Sequence, residues 1–167
     1  MQAERLKPAD VAPEGYKAVL GVEAYIRRSG LEHSLIELVK MRASQINGCA
    51  FCLDKHSKDA RANGESEQRL YLLDAWHESS LYSPRERTAL AWTEAVTRID
   101  RTHAPDADYA ALRQHFSDKE IVDLTFLVGL INLWNRLAVS MRYAHPVDAA
   151  PIVDAAPISA SAPASAS

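Results

Sequence analysis

Cysteine is scarce in this sequence: Cys49 and Cys52 are the only two among 167 residues. A structural zinc site usually brings a second Cys/His pair from a separate knuckle, so the scarcity argues against such a site. Excess charge of one sign is also absent. The 19 lysines and arginines and 22 aspartates and glutamates give a net charge of −3 and a pI of about 6.1. This balance does not favour nucleic acid or an anionic membrane as a partner.

Several other signals are missing. The segment MQAERLKPAD holds no apolar run, so we expect no signal peptide. The sequence contains no run of about 18 apolar residues, so we expect no membrane span. We expect the protein to be located in the cytoplasm. The sequence has no Gly-rich phosphate loop and no Ser/His/Asp array, and we expect no cofactor.

Strand-like alternation is absent over any length, so the sequence predicts an all-α protein. With 47% hydrophobic and 25% charged residues, it has the composition of an ordinary soluble domain. We expect an extended lead-in over residues 1–12, where Pro8 and Pro13 disfavour helix. A single-domain helical bundle over 13–144 and a disordered tail rich in Pro, Ala and Ser over 145–167 should follow.

Apolar residues at helical spacing predict about six to seven helices. Ser83-Pro84-Arg85-Glu86 and Ser117-x-x-Glu120 are capping boxes that should open two of them. The predicted helices span approximately 13–28, 32–47, 49–63, 66–76, 84–99, 105–116 and 118–143.

The last predicted helix is apolar on almost every side, which is typical of a helix buried all round. It is either the central helix of one chain or a helix that a second subunit partly covers. Asn132, Asn135 and Arg136 interrupt its apolar run. We expect them to cap neighbouring helices rather than to support the thiols.

The two cysteines form a C-x-x-C motif directly after Asn47-Gly48, a dipeptide typical of a helix end or turn. A helical pattern resumes at once, so Cys49 should lie at a helix N-terminus. Unpaired amides and the helix dipole favour an anion there, and a thiolate is such an anion. A helix N-terminus or a C-x-x-C motif can lower a thiol pKa from about 8.5 to about 3.5–7.5.

His56 and Glu37 are candidates for moving protons at this dithiol. Positions 49, 52 and 56 share one face of a helix, so His56 can lie beside Cys52 as a base. Glu37 stands in an apolar run before the turn, and it should reach the thiols from a helix folded back against theirs. Partial burial would suit it to act as a general base.

Other interpretations of the motif are open. The four residues Cys49, Cys52, His56 and Glu37 would also make a zinc ligand set. A structural disulfide is a further alternative, although it would close too small a loop to stabilise much. Haem attachment is excluded because Leu53, not His, follows the second cysteine. A single charged residue in an apolar run, such as Glu37, lies more often on a solvated helix face.

The pattern E-x11-C-x2-C-x3-H resembles the core motif of AhpD-like alkylhydroperoxidases, in the carboxymuconolactone decarboxylase superfamily. The flanking text LVKMRASQINGCAFCLDKHSKDAR and the block INLWNRLAVSMR at 131–142 resemble uncharacterised members of that group. The resemblance covers roughly residues 15–143. It implies an AhpD-like helical bundle and a homo-oligomer, which agrees with the apolar last helix.

The resemblance also implies residue roles. Cys52 attacks a hydroperoxide substrate and becomes a sulfenic acid, and Cys49 then closes a disulfide with it. Glu37 and His56 relay the protons, and an unknown protein or small thiol restores the dithiol. Where the best-known members have a His between the cysteines, this chain has Phe51. The decarboxylase branch lacks the C-x-x-C pair, so decarboxylation is not implied.

Two alternative functions remain at this stage. One is a thiol-disulfide oxidoreductase or dithiol electron-transfer adapter without peroxidase activity, which predicts an exposed Cys49. The other is a zinc- or stress-responsive binding module, which predicts about one bound zinc per chain.

Overall fold

The helix His33–Asn47 (α3) occupies the centre of the computed structural model, which describes residues 3–148. Every residue from Leu35 to Ser44 is buried. This helix packs against the cysteine helix, against the helix that Ser83 opens, and against the last helix. The charged residues of α3 are therefore placed inside the protein, where each of them requires a partner.

The described residues form an all-helical fold without strands, as the sequence predicts. In chain order the helices are α1 (Pro8–Val11), α2 (Pro13–Ile26), α3 (His33–Asn47), α4 (Ala50–Ala62), α5 (Glu67–Tyr71), a 3-10 turn (Leu73–Ala75), α6 (Pro84–Thr97), α7 (Ile99–Thr102), α8 (Asp106–Leu112) and α9 (Asp118–Met141).

The helix count exceeds the predicted six to seven because short turns were missed or merged. The predicted helix over 66–76 is divided into α5 and a 3-10 turn, and the one over 84–99 ends at Thr97 before α7 begins. The prediction of a wholly extended lead-in is wrong, since α1 forms one helical turn within it. Pro8 opens that turn at the first position, where its missing N–H removes no helix bond.

Both predicted capping boxes are present. In each, the serine hydroxyl accepts the amide of the glutamate three residues later, and that glutamate accepts the serine amide. Ser83 thus begins α6 and Ser117 begins α9. These reciprocal bonds satisfy helix amides that would otherwise lack a partner.

Two apolar clusters lie on opposite sides of α3. The larger joins α3 to α2, α6, α8 and α9, and the smaller joins it to α4, α5, the 3-10 turn and α6. The larger cluster includes Ile26, Leu35, Val39, Trp92, Leu112, Leu124, Leu127 and Val128. The smaller one includes Leu38, Met41, Leu70, Leu73, Trp76 and Leu90. Trp76 and Trp92 are thus core residues.

The last helix, α9, has one buried side and one exposed side. Leu124, Leu127 and Ile131 are fully buried, whereas Phe126 between them is 54% exposed. Of the two alternatives for this helix, the one that makes it a central helix buried on every side within one chain is therefore wrong. Within residues 3–148, α9 is the one helix long and apolar enough to cross a membrane by length and composition, a test that a core helix also passes.

The predicted tail falls mainly on residues 149–167, which lie outside the described part of the chain. Residues 145–148 have no regular secondary structure. Asp148 accepts a hydrogen bond from Lys58 on α4 at 2.8 Å.

Candidate active site

The cysteines follow a tight turn between α3 and α4. Gly48 ends α3 with a φ of 65°, a left-handed conformation that a residue with a side chain rarely adopts. The amide of Cys49 then donates to the carbonyl of Ser44 at 3.0 Å. Cys49 thereby becomes the N-cap of α4, and its sulfur accepts the amide of Cys52 at 3.3 Å. The prediction that a helix begins at Cys49 is confirmed.

Cys49 and Cys52 are joined in a disulfide, with their Cα atoms 5.3 Å apart. Both residues are buried, at 1% and 3% exposure. Cys52 contributes to the lining of a cavity that Cys49 does not line. The two cysteines are therefore inequivalent, since a small molecule in that cavity meets Cys52 and not Cys49.

His56 and Glu37 meet beside the disulfide. Nδ1 of His56 on α4 is 2.9 Å from Oε2 of Glu37 on α3, and both residues are buried. The predicted folding of α3 against α4 is thus confirmed. A carboxylate at Nδ1 orients the imidazole and leaves Nε2 for proton exchange. His56 lines the same cavity as Cys52, so the ring adjoins the space that a substrate would fill.

The cavity has a volume of about 210 Å³ and a mainly apolar wall. Aromatic rings pack edge to face in that wall, with 5.3 Å between the centroids of Tyr16 and Trp134 and 5.3 Å between those of Phe51 and Tyr143. Burial raises the pKa of Tyr143, so its hydroxyl remains protonated at neutral pH. The other lining residues are Leu20, Glu23, Arg27, Cys52, Lys55, His56 and Ala138.

A buried lysine joins the His56–Glu37 pair. Nζ of Lys40 lies 3.8 Å from Oε1 of Glu37 and 2.6 Å from Oε1 of Glu23 on α2. Burial raises the pKa of Glu23, but the hydrogen bond and charge of Lys40 outweigh burial and leave that pKa below its ordinary value. Three helices therefore contribute to one connected group of ionisable side chains.

Two asparagines of α9 hold the turn that carries Cys49. Asn47 donates to the side-chain oxygens of Asn132 and Asn135 at 3.0 and 2.8 Å. Asn135 in turn donates to Ser44, the residue whose carbonyl accepts the amide of Cys49. The expectation that these asparagines merely cap neighbouring helices is therefore too narrow, because their bonds fix the position of the dithiol.

The zinc ligand set considered above is not assembled. Both sulfurs belong to the disulfide, and Nδ1 of His56 is bound to Glu37. The described residues instead bring Glu37, His56 and Asp59 together, with candidate ligand atoms within 4.8 Å of one another. Nζ of Lys40 lies 3.8 Å from Glu37, and Nζ of Lys55 lies 3.0 Å from Asp59. Two cations therefore lie beside this cluster, and their positive charge disfavours the binding of a metal ion.

The structure brings the four predicted site residues together, but sequence reasoning missed several of their neighbours. Lys40 was passed over as part of an apolar run, although its position three residues after Glu37 on one helix was a usable signal. Trp134 packs against the larger apolar cluster and also lines the cavity, which its apolar helical spacing does not indicate. Glu23 and Tyr143 gave no local signal, because only the tertiary fold brings them to the site.

Comparison with known proteins gives two results at the sequence level. The model of the carboxymuconolactone decarboxylase family matches residues 13–95, a stretch that includes both cysteines, His56 and Glu37. The uncharacterized protein YdfG of Bacillus subtilis is 42% identical over 139 residues, which span 83% of this chain and 95% of that protein.

Solved structures give the same fold. A protein of unknown function from Agrobacterium tumefaciens, for which an AhpD role in antioxidant defence has been suggested, has a TM-score of 0.85 and 51% identity. The match covers 87% of this chain and 100% of that one. The debrominase Bmp8 has a TM-score of 0.70 and 18% identity, with 80% of this chain and 72% of that chain covered. Similarity at the latter level shows a shared fold and nothing about the reaction.

Proposed function

Because this chain belongs to the carboxymuconolactone decarboxylase family and has the AhpD-like fold, we propose that it is a thiol-dependent peroxidase that reduces organic hydroperoxides. One observation carries the proposal: Cys52 and His56 line one apolar cavity, and Glu37 orients His56 from behind. A nucleophile, a base and an orienting carboxylate are the parts that such a reaction needs.

In the first step, the thiolate of reduced Cys52 attacks the terminal oxygen of the hydroperoxide. An S–O bond forms and the O–O bond breaks, so the sulfur is oxidised to a sulfenic acid and the hydroperoxide is reduced. The departing alkoxide takes a proton from His56 and leaves as an alcohol. His56 must be an imidazolium before it gives this proton to the alkoxide, and Glu37 stabilises the imidazolium.

In the second step, the sulfur of Cys49 attacks the sulfenic sulfur of Cys52. An S–S bond forms, the S–O bond breaks, and the oxygen leaves as water with the proton of Cys49. The resulting disulfide is the state that the structure contains. Two electrons from an external thiol reductant then restore both thiols.

The position of Cys49 suits it to be the leaving group when a reductant opens the disulfide. Its sulfur accepts the amide of Cys52 at a helix N-terminus, which stabilises a thiolate there. The incoming thiol would attack Cys52, which is the cysteine that the cavity reaches. One cavity would therefore serve the hydroperoxide and the reductant in turn.

A thiol-disulfide oxidoreductase or adapter is the second candidate, and it predicted an exposed Cys49. Cys49 is 1% exposed, which does not favour direct exchange with a protein disulfide at that residue. The apolar wall of the cavity favours an organic hydroperoxide over hydrogen peroxide, because burial of an apolar substituent contributes binding energy. The cytoplasmic location remains a prediction.

The test compares reduced Cys52→Ser and Cys49→Ser, each mixed with one equivalent of cumene hydroperoxide. We expect Cys49→Ser to form a sulfenic acid at Cys52, seen by mass spectrometry as one dimedone adduct. Cys52→Ser should form no adduct and should retain no turnover, although Cys49 is intact. Turnover by Cys52→Ser would overturn the assignment of the attacking cysteine.

We also propose that the protein is a homo-oligomer. A groove between α2 and α9 is lined by apolar residues, and α9 leaves further apolar side chains open beside it. The groove includes Ala18, Val19, Val22, Phe126, Leu130 and Leu133. A second copy of this chain would remove this surface from water. Light scattering should give a mass of two chains or more, and a strict monomer at working concentration would contradict the proposal.

A further inference from the structure

The group formed by Glu23, Glu37, Lys40 and His56 is connected across three helices, and the reaction scheme above uses only two of its members. Lys40 is 3% exposed, and its ammonium contacts both carboxylates. With a neutral imidazole, the two carboxylates and one ammonium leave one negative charge. Lys40 thus halves the negative charge of this buried group.

This charge balance matters for the role of His56. Without the ammonium, Glu37 would keep only the imidazole as a partner and Glu23 would keep only the largely exposed Arg27 at 3.7 Å, and a buried carboxylate without a close partner is costly. The ammonium therefore shares the carboxylate of Glu37 with His56, the group that is to accept the proton of Cys52.

We propose that Lys40 and Glu23 are positioning residues of the active site: Glu23 holds the Lys40 ammonium against Glu37, and this ammonium keeps His56 available as a base. The inference rests on the proposed thiol chemistry of Cys52. Lys40 and Glu37 stand three residues apart on α3, so helical geometry brings the ammonium to 3.8 Å from Glu37, and the 2.6 Å contact with Glu23 holds it there.

A second cavity gives the proton a route away from the site. It has a volume of about 410 Å³, lies against the Glu37 side of the pair, and is lined by polar residues that include His33, Asp59 and Asn63. His56 lines this cavity as well as the apolar one in front of Cys52. The imidazole therefore stands between an apolar substrate space and a polar one, in which water can take up or supply protons.

The charged and titratable groups around His56 come from all three helices. Glu23 and Arg27 face it from α2, His33, Glu37 and Lys40 from α3, and Lys55 and Asp59 from α4. Arg27 and Lys55 have side chains 69% and 51% exposed, so water screens their charges. Lys40 is buried, and its removal should have the larger effect on the pH dependence.

The experiment measures the rate at which cumene hydroperoxide oxidises the reduced protein, as a function of pH. Lys40→Met should move the midpoint of the rising limb upward by about one pH unit or more, because a nearby charge shifts a titration by that order. Lys40→Arg keeps the charge and should retain the original midpoint. Glu23→Gln should lower the rate by letting the ammonium move.

The double variant Lys40→Met/Glu23→Gln removes both partners and leaves no unpaired charge between α2 and α3. It allows the test to be made even if Lys40→Met alone fails to fold. Because the buried group then carries the same net charge as in the wild type, its midpoint should return towards that of the wild type, whereas its rate should stay below that of the wild type because no ammonium holds Glu37. A folded double variant with both the midpoint and the rate of the wild type would overturn the proposal.

Arg42→Met is the matched control, since Arg42 is another buried cation of α3. Its partners include Glu94 at 2.8 Å, and neither Arg42 nor Glu94 lines the cavities around His56. This variant should lose stability without any movement of the pH midpoint. An equal movement in Arg42→Met would mean that general loosening of α3, and not the charge of Lys40, sets the profile.

Alkylation of Cys52 by iodoacetamide over the same pH range separates this inference from the proposed function. If the wild type does not react rapidly with hydroperoxides, the peroxidase proposal fails, but the alkylation profile still reports how readily Cys52 loses its proton. The inference then stands if Lys40→Met moves the alkylation midpoint upward. It fails if alkylation of the wild type and of this variant has the same pH dependence.

Discussion

Helices α3 and α9 differ in a way that their hydrophobicity would not suggest. α3 carries Glu37, Lys40 and Arg42, and all three are buried. α9 is the more apolar helix, but it leaves four large apolar side chains on the surface: Val122, Phe126, Leu133 and Val139. The charged helix is thus at the centre of the protein, and one side of the apolar helix faces outward.

The difference shows what each helix contributes. The charges of α3 are buried because each finds a partner on a neighbouring helix, such as Glu23 for Lys40 and Glu94 for Arg42. Burial strengthens the electrostatic interactions of Glu37 and Lys40, on which the proposed proton transfer at Cys52 depends. α9 contributes a packing surface on one side and, as we propose, a subunit interface on the other.

The largest expected effect tests the two sides of α9. Leu127→Ala should destabilise the fold by about 2–5 kcal/mol, because Leu127 is fully buried. Phe126→Ala, at the neighbouring position on the exposed side, should change the stability of the single chain by no more than about 0.5 kcal/mol while weakening self-association. Urea unfolding and light scattering measure the two effects. Equal losses of stability in the two variants would contradict the division of α9 into two sides.

An intermediate effect is expected where the two helices are joined by hydrogen bonds. Asn135→Ala removes the bonds from α9 to Asn47 and Ser44 at the end of α3. The loss should cost about 1–3 kcal/mol, since buried polar groups lose a partner. It should also slow disulfide formation, because the turn before Cys49 loosens. Ser140→Ala, on the exposed part of α9, is the control and should change neither the unfolding midpoint nor the rate of thiol loss.

The smallest effect concerns the first turn of α9. The amide of Ser117 lowers the pKa of Glu120 to about 2 from 4.5, with Arg85 adding to the effect. The folded-state pKa is depressed, so the carboxylate contributes stability above about pH 4.5, and this contribution is lost as pH falls towards 2. Glu120→Gln should therefore lower Tm at pH 7 by an amount that shrinks on acidification. A difference that grew at low pH would contradict this sign.

Much of the fold could be predicted from local signals. The capping boxes at Ser83 and Ser117 and the turn at Gly48 gave helix starts and an end that the structure contains. The two capping boxes depend on hydrogen bonds between residues three apart, and the turn depends on the permissive backbone of a single residue. The split of the predicted helix 66–76 was missed because the apolar spacing continues across the break between α5 and the 3-10 turn.

The site could be predicted only in part, because some of its residues give no local signal. Cys49, Cys52 and His56 lie within one helical stretch, so their spacing alone brings them together. Glu37 was found from its place in an apolar run, which indicated a buried carboxylate. Glu23 and Tyr143 reach the cavity from distant parts of the chain, and no local pattern marks them. For α9 the sequence left two alternatives open, a central helix of one chain or a helix that a second subunit partly covers, because apolar composition does not say what covers a helix.

The most direct test of the peroxidase proposal is stopped-flow mixing of the reduced protein with cumene hydroperoxide, with free thiols counted over time. The account predicts rapid loss of two thiols per chain for each hydroperoxide reduced. The same reaction in Glu37→Gln should be slower by about 10²–10⁴-fold, the usual contribution of general acid–base catalysis. Oxidation of the wild type no faster than that of a simple thiol at the same pH would contradict the account and favour disulfide exchange.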